Sequence, residues 1–342
     1  MARFVCPLCG MENIKGTSFC GFCGGDLRKF SLSPPAEEPA APSIPAIEIV
    51  SLIGSRRSTD RKMTRLWAII PVGVFIITLV FVLQIVRIMY FPYDYRDYDW
   101  LQAFYAGSYI VGLPLFGVLF GAMVYKMIKR INLHTRREDA LRAATMAYLR
   151  NAAGSPEKEQ QIMTELLRMS AFDGQALTYE KKHKPAQWGW GITLLFLAYP
   201  IYLGFTAVAY ELADDPWGMI RISMLIALLS YGIMLVTLIA SAYIVNSLMR
   251  TIYTHDFRWK GFTTTTMAAL HRLGKVDENT WEHESLKERS MIKYAVLTLL
   301  TGGIFLFYWF HVLVEDPNKH FEQQHLFENK LGKIIEADTR SA

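Results

Sequence analysis

Residues Trp217–Leu248 read WGMIRISMLIALLSYGIMLVTLIASAYIVNSL. Arg221 carries the one formal charge in the stretch, and no proline interrupts it. A helix rises about 1.5 Å per residue and needs about 20 apolar residues to cross the hydrocarbon core of a bilayer. This run exceeds that length. Four more reach it: Leu66–Tyr90, Phe104–Tyr125, Trp188–Tyr210 and Met291–Val314. They predict an all-α polytopic membrane protein with about five transmembrane helices over residues 66–314. Composition agrees, with 52% of the 342 residues hydrophobic and a mean hydropathy of +0.18.

The connections between the runs sort by charge. FPYDYRDYDW after the first and ELADDP after the third are acidic. Lys126, Lys129, Arg130, Arg136, Arg137, Lys181, Lys182 and Lys184 lie between the second and third. Arg250, Arg258, Lys260, Lys287, Arg289 and Lys293 lie between the fourth and fifth. Basic connections stay in the cytoplasm, so the N-terminus is expected there too. Five crossings then put the C-terminus on the extracytoplasmic side of the cell membrane. Trp67, Trp100, Trp188, Trp190 and Trp217 fall near span ends, where amphipathic rings settle. The net charge of +5 sits beside apolar runs, a membrane pattern that makes no nucleic-acid partner expected.

The chain also repeats. At one constant offset, residues 131–149 meet 252–270. Ile131, His134, Arg137, Thr145, Met146, Ala147 and Leu149 recur as Ile252, His255, Arg258, Thr266, Met267, Ala268 and Leu270. The unit is span, cytoplasmic helical segment, span, with copies at about 104–210 and 225–314. An even number of spans per copy makes the copies parallel. The cytoplasmic segments read as helices. Leu141, Ala144, Thr145 and Tyr148 share a face, and Ser155-Pro156 supplies an N-cap and first turn for Ile162, Met163, Leu166, Leu167 and Met169. Asp316-Pro317 is expected to open a last amphipathic helix in the tail, 315–342, with Phe327, Leu331, Ile334 and Ile335 on one face.

The four cysteines stand at the other end: Cys6-Pro7-Leu8-Cys9-Gly10 and Cys20-Gly21-Phe22-Cys23-Gly24. Two Cys-x-x-Cys turns at this separation form a tetrahedral thiolate site. Residues 1–29 thus form a small module folded by one structural zinc ion, which contributes on the order of 10 kcal/mol. Met11 to Phe19 can form a hairpin between the knuckles. Iron accepts the same ligand set. The module resembles the short N-terminal zinc ribbons fused to archaeal and bacterial membrane proteins, a likeness covering about residues 4–27 and including Phe19, Gly24 and Leu27.

Residues 30–65 read as a Pro-rich linker and a basic juxtamembrane segment. Pro34, Pro35, Pro39, Pro42 and Pro45 favour an extended tether. Residues 44–53 are more apolar, fit for a short strand or a docking peptide. Arg56, Arg57, Arg61, Lys62 and Arg65 surround one acid, Asp60, and read as a solvated cluster able to attract anionic lipid.

A second likeness lies in the fifth run. Thr301-Gly302-Gly303-Ile304, Tyr308-Trp309, Asp316-Pro317-Asn318 and His320-Phe321 resemble an uncharacterised prokaryotic membrane family with a Thr-x-Gly-Ile-x-x-x-Tyr-Trp motif. The likeness covers about residues 292–331 and implies membrane location without a known activity.

Chemistry is sparse elsewhere. The spans hold few ionisable groups, and there is no His-Glu-x-x-His, nucleophile elbow, P-loop or dinucleotide fingerprint. His134 and His255, equivalent in the repeat, can meet across a pseudo-twofold axis but read as structural. Gly117 and Gly121 mark a close helix contact, within the chain or between two copies. No catalytic residue is assigned. The expected function is a non-enzymatic interaction or regulatory module, with the bilayer and a cytoplasmic protein bound by the ribbon as partners. A small channel or transporter built from the two repeats is the alternative.

Overall fold

The computed structural model describes residues 3–5, 12–14, 45–71, 111–179, 182–211 and 216–341. Cys6, Cys9, Cys20 and Cys23, residues 30–44 of the linker, residues 72–90 of the first apolar run and residues 104–110 of the second lie outside the described residues. A short antiparallel pair, β1 (Arg3–Val5) and β2 (Glu12–Ile14), aligns Phe4 with Asn13. This pair brackets the first Cys-x-x-Cys in sequence, and most of the stretch from Met11 to Phe19, expected as a hairpin between the knuckles, lies outside the described residues.

The rest of the described chain is mostly helical, with a non-helical segment at 273–290. It comprises α1 (Pro45–Thr59), a 3₁₀ turn at Arg65–Ile69, α2 (Leu113–Ala153), α3 (Pro156–Tyr179), α4 (Pro185–Glu211), α5 (Pro216–Arg272), α6 (Met291–Leu300) and α7 (Phe305–Ser341). Helix α2 stops at Gly154, whose φ of 66° is the left-handed conformation glycine adopts without a Cβ clash. Ser155 then opens α3 as expected, its Oγ accepting the Lys158 amide at 3.4 Å.

Three long helices, α2, α5 and α7, cross the same three layers in the same order. The first layer is apolar: Phe120, Met123 and Met127 of α2 meet Ile244 and Leu248 of α5 and Phe310 and Leu313 of α7. The third is apolar too, built from Leu141 and Leu149, Trp259 and Phe262, and Phe327 and Leu331, with Ile49 of α1 and Ile162 and Leu166 of α3. Between them lies a buried polar layer that includes Asp60, His134, Glu138, His255, Asp256 and His320.

Helix α5 is 57 residues long. Met224, Leu225, Leu228, Met234, Leu235, Leu238 and Ile239 of its first half are exposed, and its second half is mostly buried. Among the described residues, one helical stretch, Gly232–Arg272, is long and apolar enough to cross a membrane. Helix α4 packs along α2. A Cβ at Gly117 would overlap the Phe196 side chain, and one at Gly121 would overlap Thr193 Oγ1 and the Gly189 carbonyl. The close contact read from these glycines is thus made within the chain.

Three expectations change. Residues 45–59 are not linker: they form α1, with Ala46 and Ile49 buried against α2 and α7. The fifth run, 291–314, is not one spanning helix. Helix α6 has ten residues, about 15 Å of rise against a hydrocarbon core of about 30 Å. Gly302 and Gly303, at φ of 57° and 93°, then turn the chain. Tyr294 packs on Phe305 and Trp309 of the returning helix at ring-centroid distances of 5.2 and 5.7 Å. Arg289 reaches Asp316 with two bonds of 3.1 Å, so the two arms lie side by side.

The tail changes as well. Pro317 sits inside α7 instead of starting a helix, and Phe327, Leu331 and Ile335 enter the third layer. Tyr148 donates a 2.8 Å hydrogen bond to Asp338. The end of α7 therefore packs in the third layer beside α1 and the end of α2.

Candidate functional site

The polar layer is assembled from separate parts of the chain. On α2, His134 and Glu138 are one helical turn apart and face the same way. Helix α5 brings His255, Asp256 and Arg258, and α7 brings His320, His325 and Glu328. The segment after α1 brings Asp60. His134, Glu138, His255 and His320 are each 1% exposed or less. One ligand-type atom from each lies within 4.8 Å of the others, close enough for a single ion.

The contacts fix which ring nitrogens face the centre. His134 Nδ1 is 2.9 Å from Asp60 Oδ1, and His320 Nδ1 is 2.8 Å from Asp256 Oδ1. Burial alone would raise the Asp60 carboxyl, but hydrogen bonds from His134 and His325 and the charges of His134 and Arg137 hold it well below the usual range. An ionised carboxylate only accepts, so His134 Nδ1 carries a proton and donates it. Burial pushes the His320 imidazole down to about 4, against the pull of its hydrogen bond to Asp256. It is therefore neutral near pH 7, with its proton on Nδ1. His134 Nε2 and His320 Nε2 lie 3.3 Å apart.

Glu138 completes the group. Burial would raise its carboxyl, yet the charges of His255 and Arg142 hold it well below normal. Its Oε1 accepts from Arg142 Nη1 at 2.8 Å. Its Oε2 lies 2.7 Å from His255 Nε2 and 3.6 Å from His134 Nε2 but accepts no well-directed hydrogen bond. His255 Nδ1 is 3.0 Å from Arg258 Nη2.

Around this centre the carboxylates are further tied. Asp60 binds Arg137 at 2.7 Å and His325 at 3.0 Å. Asp256 accepts from the Leu286 amide at 2.8 Å and contacts His283 at 3.0 Å, which laces the segment before α6 over the site. Arg130 donates to Asn318 Oδ1 at 2.7 Å, and Asn318 clasps the backbone of Met63 through its amide N–H and carbonyl.

No known family model matches the chain, and no curated protein or solved structure matches it either.

The structure thus meets the sequence reading at one point and extends it at others. His134 and His255, paired by the repeat, do meet, with ring centroids 5.2 Å apart. Glu138, His320 and the two aspartates escaped sequence reasoning. The i, i+4 spacing of His134 and Glu138 was a usable signal, because it puts two ligands on one helix face. Nothing in sequence linked that pair to His320 or Asp60.

Proposed function

We propose that this chain is a multi-pass protein of the cell membrane, with its N-terminal ribbon and its inner helical layer in the cytoplasm. It acts as a non-enzymatic interaction or regulatory module. Cys6, Cys9, Cys20 and Cys23 hold one structural zinc, and the ribbon recruits a protein partner to the membrane surface. The observation that carries the reading is α5. One uninterrupted helix joins a half whose leucines and methionines face outward to a half enclosed in a polar and apolar core. An exposed apolar belt of this extent needs lipid or a partner to cover it, and the basic residues lie beyond it.

A channel or transporter would need a polar passage between the two repeat copies. The seam between α2, α5 and α7 is filled instead by Phe120, Met123, Met127, Ile244, Leu248 and Phe310. This supports the interaction reading over transport.

Affinity capture from native membranes tests the proposal. Wild-type chain is compared with Cys6→Ser plus Cys23→Ser. Loss of a defined set of captured proteins in the variant is expected, and an unchanged set refutes recruitment. Release of the chain from membranes by alkaline carbonate would refute the integral-membrane assignment.

A further inference from the structure

We propose that His134, Glu138, His255 and His320 bind one divalent transition-metal ion, best matched by zinc, at the crossing of α2, α5 and α7. Three observations meet here. Four ligand-type atoms from three helices converge within 4.8 Å, all buried. Two of the distances among them match the edges of a coordination shell. Zinc–nitrogen bonds of about 2.0–2.1 Å in a tetrahedron place ligand atoms about 3.3 Å apart. His134 Nε2 and His320 Nε2 are 3.3 Å apart, and His134 Nε2 and Glu138 Oε2 are 3.6 Å apart.

The outer contacts complete the pattern. A ligating histidine commonly donates its other N–H to a carboxylate, which sets the tautomer and aims the ring. Asp60 does this for His134 and Asp256 for His320. His255 needs one adjustment: its proton moves from Nε2 to Nδ1, and Arg258 turns to Glu138 Oε1, which its Nη2 already approaches at 3.4 Å. Imidazole-rich sites favour zinc, copper, iron and nickel over calcium or magnesium. With four protein ligands and no exposed edge, the ion closes a structural shell and locks the inner ends of the three helices together.

This site is separate from the ribbon, and its test is arranged to keep it so. The full chain is prepared with Cys6, Cys9, Cys20 and Cys23 all replaced by serine, stripped with chelator in detergent, and titrated with Co²⁺. One equivalent is expected to bind, with visible d–d absorption, no thiolate-to-cobalt charge transfer, and displacement by Zn²⁺. The folded chain taking up no cobalt overturns the proposal, and because the cluster is intact in this chain, misfolding of a core variant cannot obscure the result. Glu138→Ala and His320→Ala should abolish uptake, and uptake that survives both places the ion elsewhere and overturns the assignment. Asp60→Asn and Asp256→Asn should each weaken cobalt binding about 10–100-fold, whereas unchanged cobalt affinity in both overturns the orienting role. Loss of partner capture on removing the cysteines leaves this result untouched, so the two proposals fail independently.

Discussion

Asp60 shows how much one side chain can carry here. It lies in a basic stretch that looks solvated, yet it is 5% exposed and accepts from His134, Arg137 and His325. Removing one partner of a buried ion pair strands the other, at a cost of about 3–5 kcal/mol. Arg137 retains Glu328 at 2.8 Å, so Asp60→Ala is expected near the lower end, about 3 kcal/mol. It should appear as a clear fall in thermal midpoint in detergent, while Arg57→Ala, an exposed neighbour on α1, should leave the midpoint nearly unchanged. Equal behaviour of the two variants would deny Asp60 its place in the network. Trp259, fully buried beside Phe262 and Phe327, offers a second residue-level check. Trp259→Ala should cost about 3–5 kcal/mol through the cavity it leaves, read from the same melt.

At the scale of the element, two glycine-dependent contacts organise the helices. Gly121 and Gly189 let α2 and α4 approach closely: a Cβ at Gly189 would press on Tyr125 and the Gly121 carbonyl. Gly121→Val is expected to destabilise the pair by about 1–3 kcal/mol, the usual cost of overpacking. Gly232→Val, where nothing lies within 4 Å, should be silent in the same melting experiment. The α6–α7 hairpin depends on Gly302 and Gly303 for its turn and on Thr301, whose Oγ1 accepts the Phe305 amide at 3.0 Å. A β-branched residue at a φ of 93° costs about 1–3 kcal/mol, so Gly303→Val should lower the midpoint by a similar step. Thr301 and the glycines make the turn. Tyr308 and Trp309 pack against Tyr294 and hold the arms together.

At the scale of the whole molecule, the arrangement of α2, α5 and α7 sets which ends share a side. All three run from the first apolar layer through the polar layer to the third, where α1 and the end of α7 meet. Tags at the N-terminus and the C-terminus should therefore be cleaved together by protease in inverted vesicles, and both be protected in right-side-out ones. A C-terminal tag with the opposite behaviour would restore the five-crossing topology and break the hairpin reading of 291–314. The polar layer also explains why stability and site geometry are one problem. Every ligand-type residue lies between two apolar clusters, so loosening either cluster would move the histidines.

What was legible in sequence was local. A 32-residue apolar run from Trp217 to Leu248, the Ser155-Pro156 start and the apolar faces around Leu141 and Ile162 depend on neighbours within a few turns, so helix type and direction followed from period and capping. His134 and His255 were linked through the repeat alone. The site needed more. Asp60, Glu138, Asp256 and His320 come from four separated segments, and their charges look like ordinary solvated residues until packing removes water from them. The fifth run failed for a related reason. Apolar length is a property of a segment, whereas turning back at Gly302–Gly303 is favoured only because Tyr294, Arg289 and Asp316 hold the second arm against the first. The sequence by itself determined an all-helical chain and the apolar run Trp217–Leu248, long enough to cross a membrane. Tertiary packing alone decided which ends share a side and which four side chains share a centre, because burial and convergence belong to the assembled layers and not to any one helix.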